Sequence, residues 1–425
     1  MRKRLLVRGP VLSRSGYGEQ SRFALRCLRA HEEYFDIYVV PTGWGNNGWL
    51  WEDNEERRWI DGLIKKGLHH AQHKGQYDAS LQITIPNEWE KLAPINIGFT
   101  AGIETTQVAP MWIEKSQLMD HIIVVSNFAK ETYQNTVYSG TDNNTGEPIH
   151  NFRCQTPITT ANYCVKDIET DPLDLDLEYD FNFLVTAQWG IRKNLENTIR
   201  WCVEEFIDQK VGLVVKTNWQ NDSRKDRFHT SERLQNLLGE YPNRKCKIYL
   251  MHGSMTDKEV HALYKSPKIK AIISATHGEG FGLPLFEAAY SGLPIVAPDW
   301  SGQCDFLHMP IEDKKTGKEK SKAMFGVVAH KLQPIQQEAI WPGVLHEGSM
   351  WCYPEQGSFK MRLREVRKDY GRFKKQAQQL QTWLHKEFAP EIQYDKFVAP
   401  IKNCLPEMVE ENWMSEIENI IQDYE

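Results

Sequence analysis

The stretch from Ala271 to Pro298, AIISATHGEGFGLPLFEAAYSGLPIVAP, limits the folds open to this chain more than any other. A β-branched run (Ala271 to Ala275), a loop holding Gly278, Gly280 and Gly282, a helix opened by Pro284, and the run Leu293 to Val296 after Gly292 read as strand, loop, helix, strand. Proline suits the first helical turn, where its missing N–H would have no partner anyway, and glycine suits the stop. The same alternation runs ahead of it, from Phe183 to Ala187 through LENTIRWCVEEF, Val211 to Lys216 and KIYLMHGSMTDKEVHALY, which predicts a doubly wound parallel sheet with ligands at the strand C-termini. Three glycines let backbone amides approach a ligand, and a helix start directly after them offers unpaired N–H groups to an anion. Glu279 and Glu287, with seven residues between them, frame this phosphate-type site. A pure phosphate cradle has no use for two carboxylates.

Glu, seven residues, Glu, with GFGLPLF between, resembles the donor-site signature of nucleotide-sugar glycosyltransferases of the GT-B fold, in the large family-four group of retaining enzymes. The resemblance is most specific between Gln188 and Cys304. It implies an α/β protein of two Rossmann-like doubly wound domains facing a cleft. It also implies that Glu287 holds the ribose hydroxyls and that Glu279 sits beside the transferred sugar, with Gly280, Phe281, Gly282 and Leu283 along the donor. The expected division is residues 1–175 as an acceptor-side domain, 176–388 as the donor domain, and 389–425 as a helical tail crossing back onto the first domain.

In the loop QWGIRKN, Arg192 and Lys193 lie at a helix start, the wrong end of the dipole for cations unless an anion sits between. The resemblance makes them the clamp on the diphosphate. Gln188 stands where many relatives have Arg, and Asn194 where many have Gly. Lys216, at a strand end, is a further phosphate candidate. Arg192, Lys193 and Glu279 are the expected catalytic groups. Asp174-Leu175-Asp176 imitates an Asp-x-Asp metal motif, yet it falls in the acidic run DIETDPLDLDLEYD that reads as a linker, so no metal is expected.

Ahead of the linker, Ser15-Gly16-Tyr17-Gly18 reads as a second glycine loop, between the strand at Leu5 to Val7 and a helix from Glu19 to Ala30. GWGNNGWLWEDNEERRW holds four of the fourteen tryptophans, either to bury a long loop or to offer flat faces to a sugar or base. Glu104 ends a strand at INIGFTAGIE, as a cap or as a group facing the cleft. Gly16, Tyr17, Gly18, Glu104 and Trp49 are therefore the acceptor-side candidates. His69, His70 and His73 lack a carboxylate motif and read as a solvated helix face.

The chain has 425 residues, enough for two domains of about 200 residues each. Its net charge of −6 supplies no global attraction to nucleic acid or an anionic membrane, although DNA or membrane-surface acceptors remain compatible. Eight scattered cysteines without a Cys-x-x-Cys pair read as reduced thiols. No apolar run approaches the roughly 20 residues needed to span a bilayer, so a cytoplasmic protein is expected. A helix from Lys360 to Lys375 is dense in Arg and Lys, with Leu363, Val366, Tyr370 and Phe373 as its apolar stripe, and Glu312 to Lys322 reads as a solvated loop. The function expected is sugar transfer from a nucleotide sugar to an unidentified hydroxyl, with no cofactor. The alternatives are a non-catalytic sugar or nucleotide binding module and a phosphorylase-like enzyme carrying pyridoxal phosphate.

Overall fold

The computed structural model describes residues 2–141, 146–312 and 317–405. The parts of the expected C-terminal tail and of the Glu312 to Lys322 loop beyond these ranges lie outside the described residues. Two six-stranded parallel sheets organise the chain. In spatial order the first is Phe35–Pro41, Lys3–Gly9, Ala79–Gln82, Ile95–Thr100, His121–Val124, Ile158–Thr160, and the second is Lys247–Met251, Gly212–Lys216, Asn182–Thr186, Ile269–Ile273, Ile295–Pro298, Gly326–Val328. Each sheet runs outward from its first strand in one direction and then reverses. The reversal in the second sheet falls between Asn182–Thr186 and Ile269–Ile273, the place where an open parallel sheet leaves a crevice beyond its strand ends.

Strand period explains the burial. Leu184 and Val214 face one apolar cluster, while Phe183, Val185, Leu213 and Val215 face another, together with Phe359, Leu363 and Val366. Both faces of this sheet are covered, as parallel sheets require. Residues 161–181 join the two sheets without helix or strand. Along this connection Leu173, Leu175 and Leu177 pack inward while Asp174 and Asp176 are exposed. The helix Pro390–Cys404 then packs on the helix Gly16–Arg29 and on the strand His121–Val124 of the first sheet, with Phe397 against Phe23 and Phe99.

Three expected local features differ. Gly16, Tyr17 and Gly18 are the first turn of the helix Gly16–Arg29 and not a loop, because Ser15 is a side-chain cap whose Oγ accepts the Gly18 amide at 3.0 Å. The described part of 312–322 belongs to a hairpin, His308–Glu312 against Glu319–Ala323, which exposes Glu312, Glu319, Lys320 and Lys322 and packs Met309, Ile311 and Ala323 against the core. The basic helix is two helices, Gln356–Lys368 and Tyr370–Glu387, broken at Asp369 with ψ +53°. Its stripe of Leu363, Val366 and Phe373 is buried. Its cations meet acids of this chain: Lys360 pairs with Glu204, Arg364 with Glu205 at 2.7 Å, and Arg372 with Asp369 at 3.0 Å.

Candidate functional site

The second sheet's reversal brings two loops together. One, after Asn182–Thr186, carries Arg192 and Lys193; the other, after Ile269–Ile273, carries His277 to Gly282. His277 N donates to the Arg192 carbonyl at 2.8 Å and Asn194 Nδ2 to the Ala275 carbonyl at 2.9 Å, so the loops are fastened by main-chain acceptors. Asn194 has φ +50°, a left-handed conformation that glycine adopts freely and asparagine tolerates. That conformation accounts for Asn at a position where the resemblance leads one to expect Gly.

Glu279 is held at both ends. Its amide donates to Ser301 Oγ at 2.8 Å and its carbonyl accepts from Gly302 N at 2.9 Å, while Lys193 Nζ reaches its two carboxylate oxygens at 2.7 and 2.6 Å. Arg192 stands 3.3 Å from Glu279 and 3.1 Å from Glu104, and also donates to the Gly278 carbonyl at 2.7 Å. These are the anions that the two cations required at a helix start. Burial would raise the Glu279 carboxyl, but Lys193 and Arg192 hold it below the usual range. Burial and the neighbouring Arg192 lower the Lys193 ammonium. Arg192 is raised against burial by Glu104 and Glu279. Glu104 thus belongs to this charged cluster and reaches it from the first sheet's side.

The helix Leu283–Tyr290 starts beside the cluster without a side-chain cap. Gly282 precedes it at φ +95°, a conformation that L side chains rarely adopt. Among the described residues no protein acceptor takes the amides of Phe281, Gly282 and Leu283. The Phe281 ring itself is core, packed against Tyr163, Phe286 and Phe306. Gly280 has a different reason to be glycine: a Cβ there would come within 2.6 Å of the Ala101 carbonyl, and its own carbonyl accepts from Ser126 Oγ at 2.7 Å. It therefore serves the contact between the two halves of the chain.

A cavity of about 300 Å³ opens next to these groups. Lys193, Lys216, Gln188 and Pro284 line it from the second half, Arg14, Asn47 and Gly48 from the first. Gln188 Nε2 donates to the Trp219 carbonyl at 2.9 Å, and Arg14 donates across the cleft to the Met255 carbonyl at 3.1 Å. Burial and Arg14 lower Lys216. Arg14 and Ser301 were not foreseen from the sequence; Arg14 sits in a bend ahead of the first helix, and Ser301 follows the strand Ile295–Pro298 at φ +70°.

Other expected site residues are placed differently. Trp49 is 63% exposed and lies outside the cavity lining, where its neighbours Asn47 and Gly48 stand instead. Tyr17 is turned inward, with its hydroxyl 2.8 Å from Thr100 Oγ1 and its ring centroid 4.2 Å from that of Trp44. Gly18 is a packing requirement, since a Cβ would fall 1.9 Å from the Ser13 carbonyl, whereas Gly16 faces open space. Glu287 accepts from the Tyr264 hydroxyl at 3.2 Å and lines a narrow second cavity with Glu19, Arg26, Lys166 and Tyr290. Burial pushes its carboxyl up to about 7, against the pull of Lys166. Asp299, Cys304 and His308 form a group able to hold a metal ion, their ligand atoms within 4.8 Å of one another, with His308 Nε2 2.7 Å from Asp299.

Comparison with known proteins bears on the fold and on one segment of the second half. Residues 229–311 match the family model described as glycosyl transferases group 1. The mannosyltransferase WbdA of Escherichia coli is 29% identical over 123 residues, which is 28% of this chain but only 13% of that protein. Sucrose-phosphate synthase from Thermosynechococcus elongatus superposes with a TM-score of 0.59 at 11% identity, covering 95% of this chain and 99% of that one. A glycosyltransferase from Rickettsia africae gives 0.58 at 13% identity, over 96% and 100% of the chains. HepE of Anabaena, solved with UDP and glucose, gives 0.57 at 10% identity, over 95% and 100%. The chain therefore has the GT-B fold, and its second half carries the glycosyl transferases group 1 pattern.

Proposed function

We propose that this protein is a retaining glycosyltransferase that moves a sugar from a nucleotide-sugar donor to an acceptor hydroxyl. The observation that carries the reading is the buried Glu279 flanked by Arg192 and Lys193 at an uncapped helix start, beside a cleft at the strand ends. The UDP-bound HepE neighbour supports a nucleotide sugar as the donor class. In the reaction the bond from the sugar's anomeric carbon to the diphosphate oxygen breaks, and the nucleoside diphosphate leaves with its bonding electrons. Arg192, Lys193 and the amides of Phe281, Gly282 and Leu283 stabilise the charge that develops there, as fixed donors in a water-poor site do. The acceptor oxygen bonds to the same carbon on the same face and gives its proton to the departing phosphate oxygen. Glu279 orients the two cations and faces the electron-poor sugar.

With Arg192, Lys193 and Lys216 supplying positive charge, the reaction needs no divalent ion. Incubation with a panel of nucleotide sugars, with mass detection of slow donor hydrolysis, tests the reading, and excess chelator should leave the rate unchanged. Failure of every nucleotide sugar and of free UDP to bind at millimolar concentration would overturn it. Absorbance of a bound pyridoxal group would indicate the phosphorylase alternative instead.

A further inference from the structure

A further cavity, of about 420 Å³ and distinct from the narrow one at Glu287, shares a wall with the donor cleft. Trp189 N donates to the Asn218 carbonyl at 2.8 Å and Gln188 Nε2 to the Trp219 carbonyl. Gln188 and Asn218 line the donor cleft, whereas Trp189 and Trp219 line this further cavity with Glu196, Arg233, His277 and Gln336.

Its chemistry is specific. His277 Nδ1 lies 2.6 Å from the Cys352 carbonyl, which can only accept, so the ring proton sits on Nδ1 and Nε2 is an acceptor. Gln336 Nε2, 3.2 Å away, must then donate to Nε2, which fixes the direction of the amide. Gln336 lines the cavity, and its Oε1 is left without a partner, buried behind that wall. A buried acceptor of this kind is costly unless a donor arrives. His277 is kept neutral by burial and is braced by Trp351, whose ring stacks at 4.9 Å.

Flat apolar faces are also on offer. Trp219 is 42% exposed at the cavity, and beyond it follow His229, with a ring centroid 6.1 Å away, and Phe228, which is 63% exposed. The charges present are matched within the wall: Arg233 meets Glu196 at 2.9 Å and lies over the Trp189 ring, whose Nε1 also donates to Glu196 at 3.2 Å. A phosphodiester chain finds no spare cation in this lining. A neutral ligand with hydroxyl donors and a flat C–H face finds both of its needs.

We propose that this cavity binds a saccharide unit of an extended acceptor glycan, stacked on Trp219, with the Gln336 side chain turning its Oε1 outward to accept a hydroxyl. That the saccharide belongs to the acceptor rests on the glycosyl-transfer reading; that the cavity binds saccharide does not. The full-length protein would be titrated with maltohexaose, cellohexaose, mannohexaose and chitohexaose, following tryptophan fluorescence and heat, with UDP and a ten-residue oligothymidylate alongside. At least one hexasaccharide should bind, and Trp219→Ala should weaken it by about tenfold, the loss of one stacked ring, while Trp219→Phe recovers part of the affinity. The thermal midpoint of each variant checks folding. UDP binding with no hexasaccharide binding at millimolar concentration overturns the subsite and leaves the transfer reading standing. Hexasaccharide binding without UDP or any nucleotide sugar does the reverse. Equal binding by Trp219→Ala, or binding of oligothymidylate alone, also overturns the subsite.

Discussion

Two helix starts that look alike in the sequence have opposite duties. At Ser15-Gly16-Tyr17-Gly18 the first turn is closed: Ser15 Oγ takes the Gly18 amide, Tyr17 is buried, and Gly18 is small because the Ser13 carbonyl lies against it. At Glu279 to Leu283 the first turn is open: Gly282 sits at φ +95°, no side chain caps the helix, and two cations stand nearby on a buried carboxylate. A helix start that satisfies its own amides has little left for a ligand. One that leaves them unpaired beside a cleft is built to receive an anion.

The widest gap between the two should open on Lys193→Ala. Loss of a fixed donor at the charge-developing end should lower kcat/KM by about 100- to 1,000-fold, as steady-state kinetics would read. A fall of less than about threefold would remove the distinction between the two starts.

Glu287 sharpens the contrast, because it lies on the open helix and meets the capped one across a cavity shared with Glu19. Lys166, Asp257, Glu19, Tyr264 and Tyr290 surround it. Its carboxyl titrates near 7 in the fold, against an ordinary value of 4.5. Raised in the folded state, it contributes stability that is complete below pH 4.5 and is lost as pH rises through 7, up to about 3 kcal/mol. Denaturant unfolding from pH 5 to 8 should show this fall in the wild type and a flatter profile in Glu287→Gln. Glu19, held well below its ordinary value against burial by Arg26, Lys166 and Arg22, works with the opposite sign and at lower pH.

Gly282→Ala forces a side chain into the left-handed region and should cost about 1–2 kcal/mol in denaturant unfolding, with nucleotide affinity falling as the amides shift. The smallest effect belongs to the closed start. Ser15→Ala should cost about 1 kcal/mol by the same measurement and leave UDP affinity, read by calorimetry, at its wild-type value.

Much of this was visible before folding because the cues are local. Pro284 and Gly292 bracket the helix Leu283–Tyr290, and Gly292 takes φ +74° just beyond its end. Arg192 and Lys193 announced an anion by standing at the wrong end of a dipole. The cues failed where the decisive partner is distant. Nothing near Glu104 signals that Arg192 will meet it, and His277 acquires its tautomer only from Cys352 and Gln336. The hairpin His308–Glu312 with Glu319–Ala323 was hidden because the alternation of Met309 and Ile311 is only two residues long and Glu319–Ala323 is charged and largely exposed. Ser15 was hidden by its own glycines, which suggested a loop where a capped turn forms.

The chain crosses between its halves twice, along residues 161–181 and again near Phe388, and the two crossings are tied where Val165 N donates to the Phe388 carbonyl at 2.9 Å. The tie is one of several joints, because the halves also meet where Ser126 Oγ donates to the Gly280 carbonyl, where Arg192 reaches Glu104, and where Asp305 takes Asn127 N and Asn162 Nδ2, over a shared apolar core in which Tyr163 packs on Phe281. Opening the cleft at its mouth breaks side-chain contacts such as Arg14 to the Met255 carbonyl, and not the main-chain tie at Val165.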